Sequence, residues 1–250
     1  MNFTKYKIIV FDLDDTLAIS KQFLDENMSS LLSELLKIKK VAIISGAGFN
    51  QINDQVISKL QFDENIFKNL YLFPTSGGMM YSFNKDWTKV YENILNDEEK
   101  MKIKQAFENM YQEIDFLPKI TYGEALEDRN TQYTFSALGQ KAPIDLKKEW
   151  DSDMVKRIKI KECLDKYLPE FEVKIGGTTS IDINKKSIDK GYAIGRIEEL
   201  LNLKKEEILF IGDAIFQGGN DYSIVKTSVS YIKVDNLEHT KDIIKNIINN

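Results

Sequence analysis

Ile8-Ile9-Val10-Phe11 is an unbroken apolar run that stops at Asp12, with a second carboxylate at Asp14 and a hydroxyl at Thr16. Branched and aromatic residues without polar alternation suit a strand covered on both faces, the strand type of parallel sheets. In open α/β sheets, ligands bind at the carboxyl ends of the strands. Asp12 and Asp14 are therefore expected in a crevice rather than in the core. Two carboxylates this close repel each other unless a cation stands between them or one holds a proton. Mg2+ takes carboxylate oxygens and keeps open positions for phosphate. An Asp-rich turn would have the same local sequence, so the later strand ends must decide.

Those ends follow a pattern. A helix is predicted over Gln22 to Lys40 from the spacing of Met28, Leu31, Leu32, Leu35 and Leu36. Val41 to Ile44 then forms a second short strand ending at Ser45-Gly46-Ala47-Gly48, small residues that can present N–H groups and a hydroxyl to an anion, or simply turn the chain. A helix over Asn50 to Lys59 and a strand over Leu70 to Phe73 continue a β-α-β-α-β order, the opening of a doubly wound sheet.

The texture then changes. Met79 to Phe83 and Lys89 to Tyr91 suit antiparallel strands, and Glu98 to Ile114 an amphipathic helix. Strands are predicted at Lys119 to Tyr122, Tyr133 to Leu138, Phe171 to Ile175 and Ser180 to Ile183, with a charged helix over Met154 to Tyr167. From Asp189-Lys190-Gly191 the α/β pattern returns: a helix to Leu201, a buried strand at Ile208 to Ile211, Gly212-Asp213, then Gly218-Gly219-Asn220-Asp221, a strand over Val229 to Val234 and a terminal helix. The expected fold class is α/β, a Rossmann-like parallel-sheet core over 1–81 and 186–250 with an α+β insert over 82–185.

The 250 residues carry a net charge of -5, which argues against a nucleic-acid groove or an anionic membrane surface as partner. One cysteine, Cys163, allows no intrachain disulfide and points to a reducing, cytoplasmic setting; no signal peptide or spanning segment is apparent. One histidine, His239, leaves little for histidine-based zinc or Ser-His-Asp chemistry. The chemistry falls to carboxylates, lysine and a metal.

In order, Asp12/Asp14/Thr16, Ser45, Lys190 at the head of a helix, and Asp213 with Asn220 and Asp221 resemble the haloacid-dehalogenase superfamily of phosphotransferases, and the insert after the third strand resembles its subclass IIB. Glu127-Asp128-Arg129-Asn130, Leu138-Gly139-Gln140, Gly176 to Asp182 and Gly218 to Asp221 look like eukaryote-type phosphomannomutases. The resemblance implies Asp12 as nucleophile, Asp14 as acid and base, and Lys190 as a charge on the phosphoryl group. It implies Thr16, Ser45 and Gly46 as phosphate contacts. It implies Mg2+ on Asp12, the backbone carbonyl of Asp14 and Asp213, with Asn220 and Asp221 behind them. The insert would be a cap whose Arg129, Ser180 and Asp182 touch a sugar phosphate, and the family often dimerises through it.

The departures bear on the reaction. Lys21 and Gln140 stand where the family carries arginines, and a third cap arginine has only Lys147 and Lys148 nearby. Neither lysine nor glutamine copies the two-pronged guanidinium clamp on phosphate. The sequence therefore favours a phosphatase of a small phosphate ester over a hexose-phosphate mutase, with a catalytically silent sugar-phosphate sensor as a remote third reading.

Overall fold

β1 (Ile8–Phe11) is the central one of the five parallel strands of the larger sheet, every one of its residues buried. The computed structural model describes residues 2–61 and 63–249. Along the chain follow α1 (Glu26–Ile38), β2 (Lys40–Ile44), α2 (Phe49–Gln55), α3 (Glu64–Phe67), β3 (Leu70–Phe73), β4 (Met79–Asn84) and β5 (Asp86–Glu92). Then come α4 (Asp97–Glu113), β6 (Leu126–Asp128), β7 (Gln132–Ser136), α5 (Ile144–Trp150), α6 (Val155–Tyr167), β8 (Phe171–Ile175) and β9 (Ser180–Lys185). The last elements are α7 (Lys190–Leu201), β10 (Ile208–Gly212), β11 (Ser230–Lys233) and α8 (Leu237–Ile248).

The chain divides into a unit of Met1–Glu92 with Asp189–Asn250 and a unit of Asn93–Ile188. The first holds a seven-stranded sheet in the order β11-β10-β1-β2-β3-β4-β5, parallel from β11 to β3 and antiparallel beyond. Successive side chains of a strand point to opposite faces. Ile9 and Phe11 accordingly pack with Leu32, Leu36 and Ile244, whereas Ile8 and Val10 pack with Ile194 and Ile197. This is the doubly wound α/β architecture expected from the apolar runs. α1 begins at Glu26 rather than Gln22 because the Asp25 carboxylate accepts the Met28 N–H at 2.8 Å and caps the helix there.

The unit boundary falls after Glu92, not at 81 as the change of texture suggested. β4 and β5 form a hairpin that pairs with β3 and extends the first sheet. Their alternating pattern, unlike that of the buried parallel strands, is that of an edge hairpin with one wetter face.

The second unit is a four-stranded sheet, β6-β7-β9-β8. Tyr133, Phe135, Val173, Ile181 and Ile183 point one way and bury against Ile103, Phe107 and Met110 of α4 and Ile160 and Leu164 of α6. The strand predicted over Lys119 to Tyr122 does not form. Tyr122 instead donates its N–H to the Leu138 carbonyl at 2.8 Å and accepts from Lys141 at 2.9 Å, closing a turn. The pairing strand is β6, and α5 was not anticipated, its seven residues being too few to display a helical stripe.

Truncation of Ile9 to Ala should lower the unfolding free energy by about 2–5 kcal/mol. Ile38→Ala, at the exposed end of α1, should change it by less than about 0.5 kcal/mol. Urea midpoints of the two variants check this; equal losses would contradict the placement of β1 at the centre.

Candidate active site

The parallel strands β10, β1 and β2 are neighbours, with Phe11 level with Ile211 and Ile43. Asp12, Gly212 and the Ser45 turn thus leave the sheet side by side. From β1 the chain runs to β2 and β3 on one side, while β10 and β11 return on the other, so β1 and β10 flank the switch point where α/β folds bind ligands.

After β1 the backbone closes a tight loop, with Leu17 and Ala18 donating to the Leu13 carbonyl at 2.9 and 3.1 Å. Asp15 sits at a φ of 58°. Asp tolerates this left-handed conformation better than most residues. The loop leaves Asp12 buried, Asp14 half-buried and Thr16 buried. Asp14 accepts the backbone N–H of Lys21 at 2.8 Å, and Thr16 donates its hydroxyl to Asp213 at 3.3 Å. The Lys21 side chain itself is exposed.

Lys190 opens α7, whose N-terminus is capped by Asp189 accepting from Tyr192 at 2.9 Å. Its ammonium is buried and lies 2.5 Å from both Asp12 and Asp221. Asp221 is itself fully buried, and its other oxygen accepts the Ala214 N–H at 3.1 Å. Two glycines make this return of the chain feasible. A Cβ on Gly212 would lie 2.4 Å from the Asp221 carboxylate, and one on Gly219 would lie 2.0 Å from the Ala214 carbonyl. The Gly218-Gly219-Asn220-Asp221 segment is thus a turn that carries Asp221 back beneath β10. The Asn220 side chain is exposed.

Ser45 is buried beside this cluster at the end of β2, its N–H on the Phe73 carbonyl at 3.1 Å and its hydroxyl accepting from Ala47 at 3.1 Å. Gly46 follows, half-buried, on the turn.

One ammonium faces a surplus of acids. Burial holds Asp12 well above the usual carboxylate range, against the pull of Lys190. Burial also raises Asp14, opposed by the Lys21 N–H, and raises Asp213, reinforced by Asp221. For Lys190 burial opposes the charge, but Asp12 and Asp221 outweigh it and hold its pKa above the ordinary lysine value. Carboxylate oxygens of Asp12, Asp213 and Asp221 come within 4.8 Å of one another. An all-oxygen set with excess negative charge suits a hard divalent cation such as Mg2+. Because Asp221 engages Lys190 and the Ala214 N–H, Asp12 and Asp213 are the carboxylates better disposed to ligate.

In the second unit, the face of the sheet away from α4 and α6 is polar. Thr134 donates to Asp182 at 2.8 Å, and Asp182 stands in register with Lys174 of β8. Ser136 pairs in register with Ser180. Arg129 makes a two-pronged contact with Glu127, at 3.0 and 2.7 Å. Gln140 donates its amide to the Thr134 carbonyl at 3.2 Å, and the Gln140 carbonyl accepts from the buried Lys147 ammonium at 2.8 Å.

The model of the eukaryotic phosphomannomutase family matches residues 28–250. The chain belongs to this family. Phosphomannomutases similar to it include that of Spinacia oleracea, 27% identical over 87% of this chain and 85% of the relative, and that of Saccharomyces cerevisiae, 28% identical over 87% and 84%. The Encephalitozoon cuniculi phosphomannomutase is 28% identical over 93% of this chain and 90% of its own. In fold, the chain resembles a haloacid dehalogenase-like hydrolase from Bacteroides thetaiotaomicron, with a TM-score of 0.64 at 18% identity over 97% and 99% of the two chains. The Plasmodium falciparum IMP-nucleotidase gives 0.71 at 18% identity, covering 98% of this chain and 62% of that one. The phosphomannomutase model begins beyond the Asp12–Thr16 loop, so that motif stands on its residues and geometry.

Within the first unit, the sequence-predicted site residues Asp12, Thr16, Lys190, Asp213 and Asp221 converge, with Asp14 on the same loop as Asp12. Asn220 and the Lys21 side chain are turned to the exterior. Ser180, Asp182 and Thr134 gather on one face of the second sheet. Sequence reasoning missed Arg157 and Asp151, both buried and paired at 2.7 Å. The charged pattern around α6 resembled an ordinary solvated helix face and gave no signal.

Groups with raised carboxylate pKa hold protons in the folded state that the unfolded chain has already released. Their destabilising effect is absent below pH ~4 and grows as pH rises through the folded values. Without metal, Asp213→Asn should therefore raise the Tm by about 2–4 °C at pH 7.5 and leave it unchanged at pH 4. In millimolar Mg2+ the parent should become the more stable of the two. Thermal melts at both pH values check this; a gain that persists at pH 4, or that Mg2+ does not reverse, would contradict it.

Proposed function

We propose that this chain is a magnesium-dependent phosphotransferase of hexose phosphates that works as a phosphomannomutase, exchanging 1- and 6-phosphates. The buried Asp12–Lys190–Asp221 cluster at the head of β1 carries this reading. The family match along 28–250 moves the balance from the phosphatase favoured by the sequence towards the mutase. A cytoplasmic setting and association through the second unit belong to the same proposal. Among the described residues, no helix is long and apolar enough to cross a membrane.

Asp12 attacks phosphorus in line with the departing sugar oxygen and becomes an aspartyl-phosphate. Asp14 gives that oxygen a proton and later removes one from the hydroxyl that takes the phosphoryl group back. Its raised pKa suits the acid role, since a carboxyl at its ordinary ~3.9 would hold almost no proton near neutrality. Lys190 keeps a fixed positive charge beside the nucleophile, while Asp221 holds the ammonium in place. Thr16, Ser45 and Gly46 supply hydrogen bonds to the phosphoryl oxygens. Mg2+ held by Asp12, Asp213 and the Asp14 carbonyl would offset phosphoryl charge as a Lewis acid. The second unit would act as the cap, its Arg129, Ser180 and Asp182 selecting the sugar phosphate.

Hydrolysis is the second reading, and one observation favours it. Where the family has a guanidinium, Gln140 donates its amide to the Thr134 carbonyl. A weaker grip on the distal phosphate would free the sugar before the phosphoryl group returns and leave the aspartyl-phosphate to water.

Hexose 1-phosphate incubated with Mg2+ and a trace of hexose 1,6-bisphosphate should give hexose 6-phosphate well in excess of free phosphate. Predominant free phosphate would overturn the mutase in favour of the phosphatase. Asp12→Asn should abolish both products while its far-UV circular dichroism matches the parent; turnover by that folded variant would remove Asp12 from its role.

A further inference from the structure

Between the buried Ala18 and Leu24, the chain that follows the Asp12–Thr16 loop has no anchor in the core. Its two large apolar residues, Ile19 and Phe23, are 44% and 58% exposed. Hydrogen bonds hold it instead. The Ser20 N–H donates to the Asp15 carboxylate at 3.2 Å and the Lys21 N–H to the Asp14 carboxylate at 2.8 Å. The Gln22 N–H returns to the Ile19 carbonyl at 2.8 Å and closes a turn, with Lys21 at a φ of 62°. A lysine keeps that left-handed conformation where its surroundings impose it.

Gln55 imposes it from the other side. This last residue of α2 is 3% exposed. Its Nε2 donates to the Gln22 carbonyl at 2.7 Å, and its Oε1 accepts from Gln51 at 2.9 Å. Its backbone carbonyl accepts the Leu24 N–H at 2.9 Å. One buried glutamine thus grips the chain on both sides of Phe23, with both ends of its amide engaged. A buried amide is retained at the cost of desolvation, which these bonds offset. An apolar side chain would fill the same space, but it could not donate to the Gln22 carbonyl. α2 itself opens directly after the Ser45–Gly48 turn. The helix therefore refers two parts of the site to each other, the Ser45 turn at its start and Asp14 through the Ile19–Gln22 turn at its end.

We propose that Gln55 is a positioning residue for proton transfer: it fixes the Ile19–Gln22 turn so that the Lys21 N–H holds one oxygen of Asp14 and leaves the other for the departing sugar oxygen. Among the described residues, no other hydrogen-bond donor reaches the Asp14 carboxylate. The inference rests on the phosphotransferase reading for the role of Asp14, but the Gln55 clamp is defined by geometry alone. As the bond from Asp12 to phosphorus forms, the electrons of the breaking P–O bond go to the sugar oxygen, and the Asp14 proton joins them there. A leaving group that departs as a stable anion needs no such proton. Transfer from such a donor should not depend on Gln55.

The test compares two phosphoryl donors with Mg2+ in single-turnover kinetics on the full chain. In hexose 1,6-bisphosphate the departing alkoxide needs a proton, and in p-nitrophenyl phosphate the departing phenolate does not. Gln55→Glu keeps the length and the acceptor for Gln51 but cannot donate to Gln22 near neutrality. It should slow hexose phosphate release about tenfold, with KM changed less than about threefold and p-nitrophenolate release within about twofold. Gln55→Met, which carries no charge, should show the same split. In 15N-labelled protein the Lys21 amide proton should move upfield in both variants. Equal losses with both donors would make Gln55 a support of the whole site and overturn the proposal, as would no loss with either. An unmoved Lys21 amide would overturn the route through the turn. A parent that releases p-nitrophenolate but is inert towards hexose phosphates would overturn the mutase reading. The clamp would then be judged with 2-glycerophosphate as the alkyl donor, where the same split sustains it and equal rates overturn it.

Discussion

A buried ammonium shared by two buried carboxylates is the interaction on which the first unit's site depends. Lys190 brings α7 to the end of β1 through Asp12 and to the segment after β10 through Asp221. Such a group is costly to desolvate, and removing one member of a buried ion pair typically costs about 3–5 kcal/mol because the other is left unpaired. The contact therefore does more than place a charge. It ties together three pieces of chain far apart in sequence, at the one place where the sheet order reverses. Gly212 and Gly219 permit it, since a methyl at either position would occupy the path of the returning segment.

The same cluster has one cation for several acids, and burial raises rather than lowers the proton affinity of Asp12, Asp14 and Asp213. A divalent cation and a protonated Asp14 are two ways of relieving one electrostatic load. A site that is unfavourable for carboxylates alone is thereby suited to a metal and a phosphate together. The second unit solves a different problem. Its sheet is apolar towards α4 and α6 and polar on the other face, and Arg157 fixes the β8–β9 turn from the helix side.

Much of this was legible in the chain. Ile8–Phe11 and Ile208–Ile211 are apolar without alternation because both faces of a central parallel strand are covered. The outer pieces were less clear. Residues 79–92 alternate as an inserted antiparallel module would, yet they extend the first sheet, because pairing with β3 is a long-range event that local pattern does not encode. The 119–122 segment has strand-forming residues, but its polar backbone is satisfied by the 138–141 turn instead.

By itself the sequence determined which residues could carry phosphoryl chemistry. With one histidine and one cysteine, the chemistry fell to carboxylates, lysine and a metal, and the resemblance to the family singled out Asp12 and Asp14 after one apolar run, Asp213 after another and Lys190 at the head of a helix. The tertiary structure alone decided how those groups share charge. Asp221 is the partner of Lys190, whereas Asn220 beside it faces outward, and one residue of separation carries no hint of that difference. The structure alone also turned Arg157 inward. A cation in a charged helix is ordinarily solvated, and only the packing of α6 against the sheet brings it to the carbonyls of Gly176 and Gly177. Local sequence fixes the chemistry a side chain can perform, but the direction in which a buried charge or a peptide dipole acts depends on what long-range packing places against it.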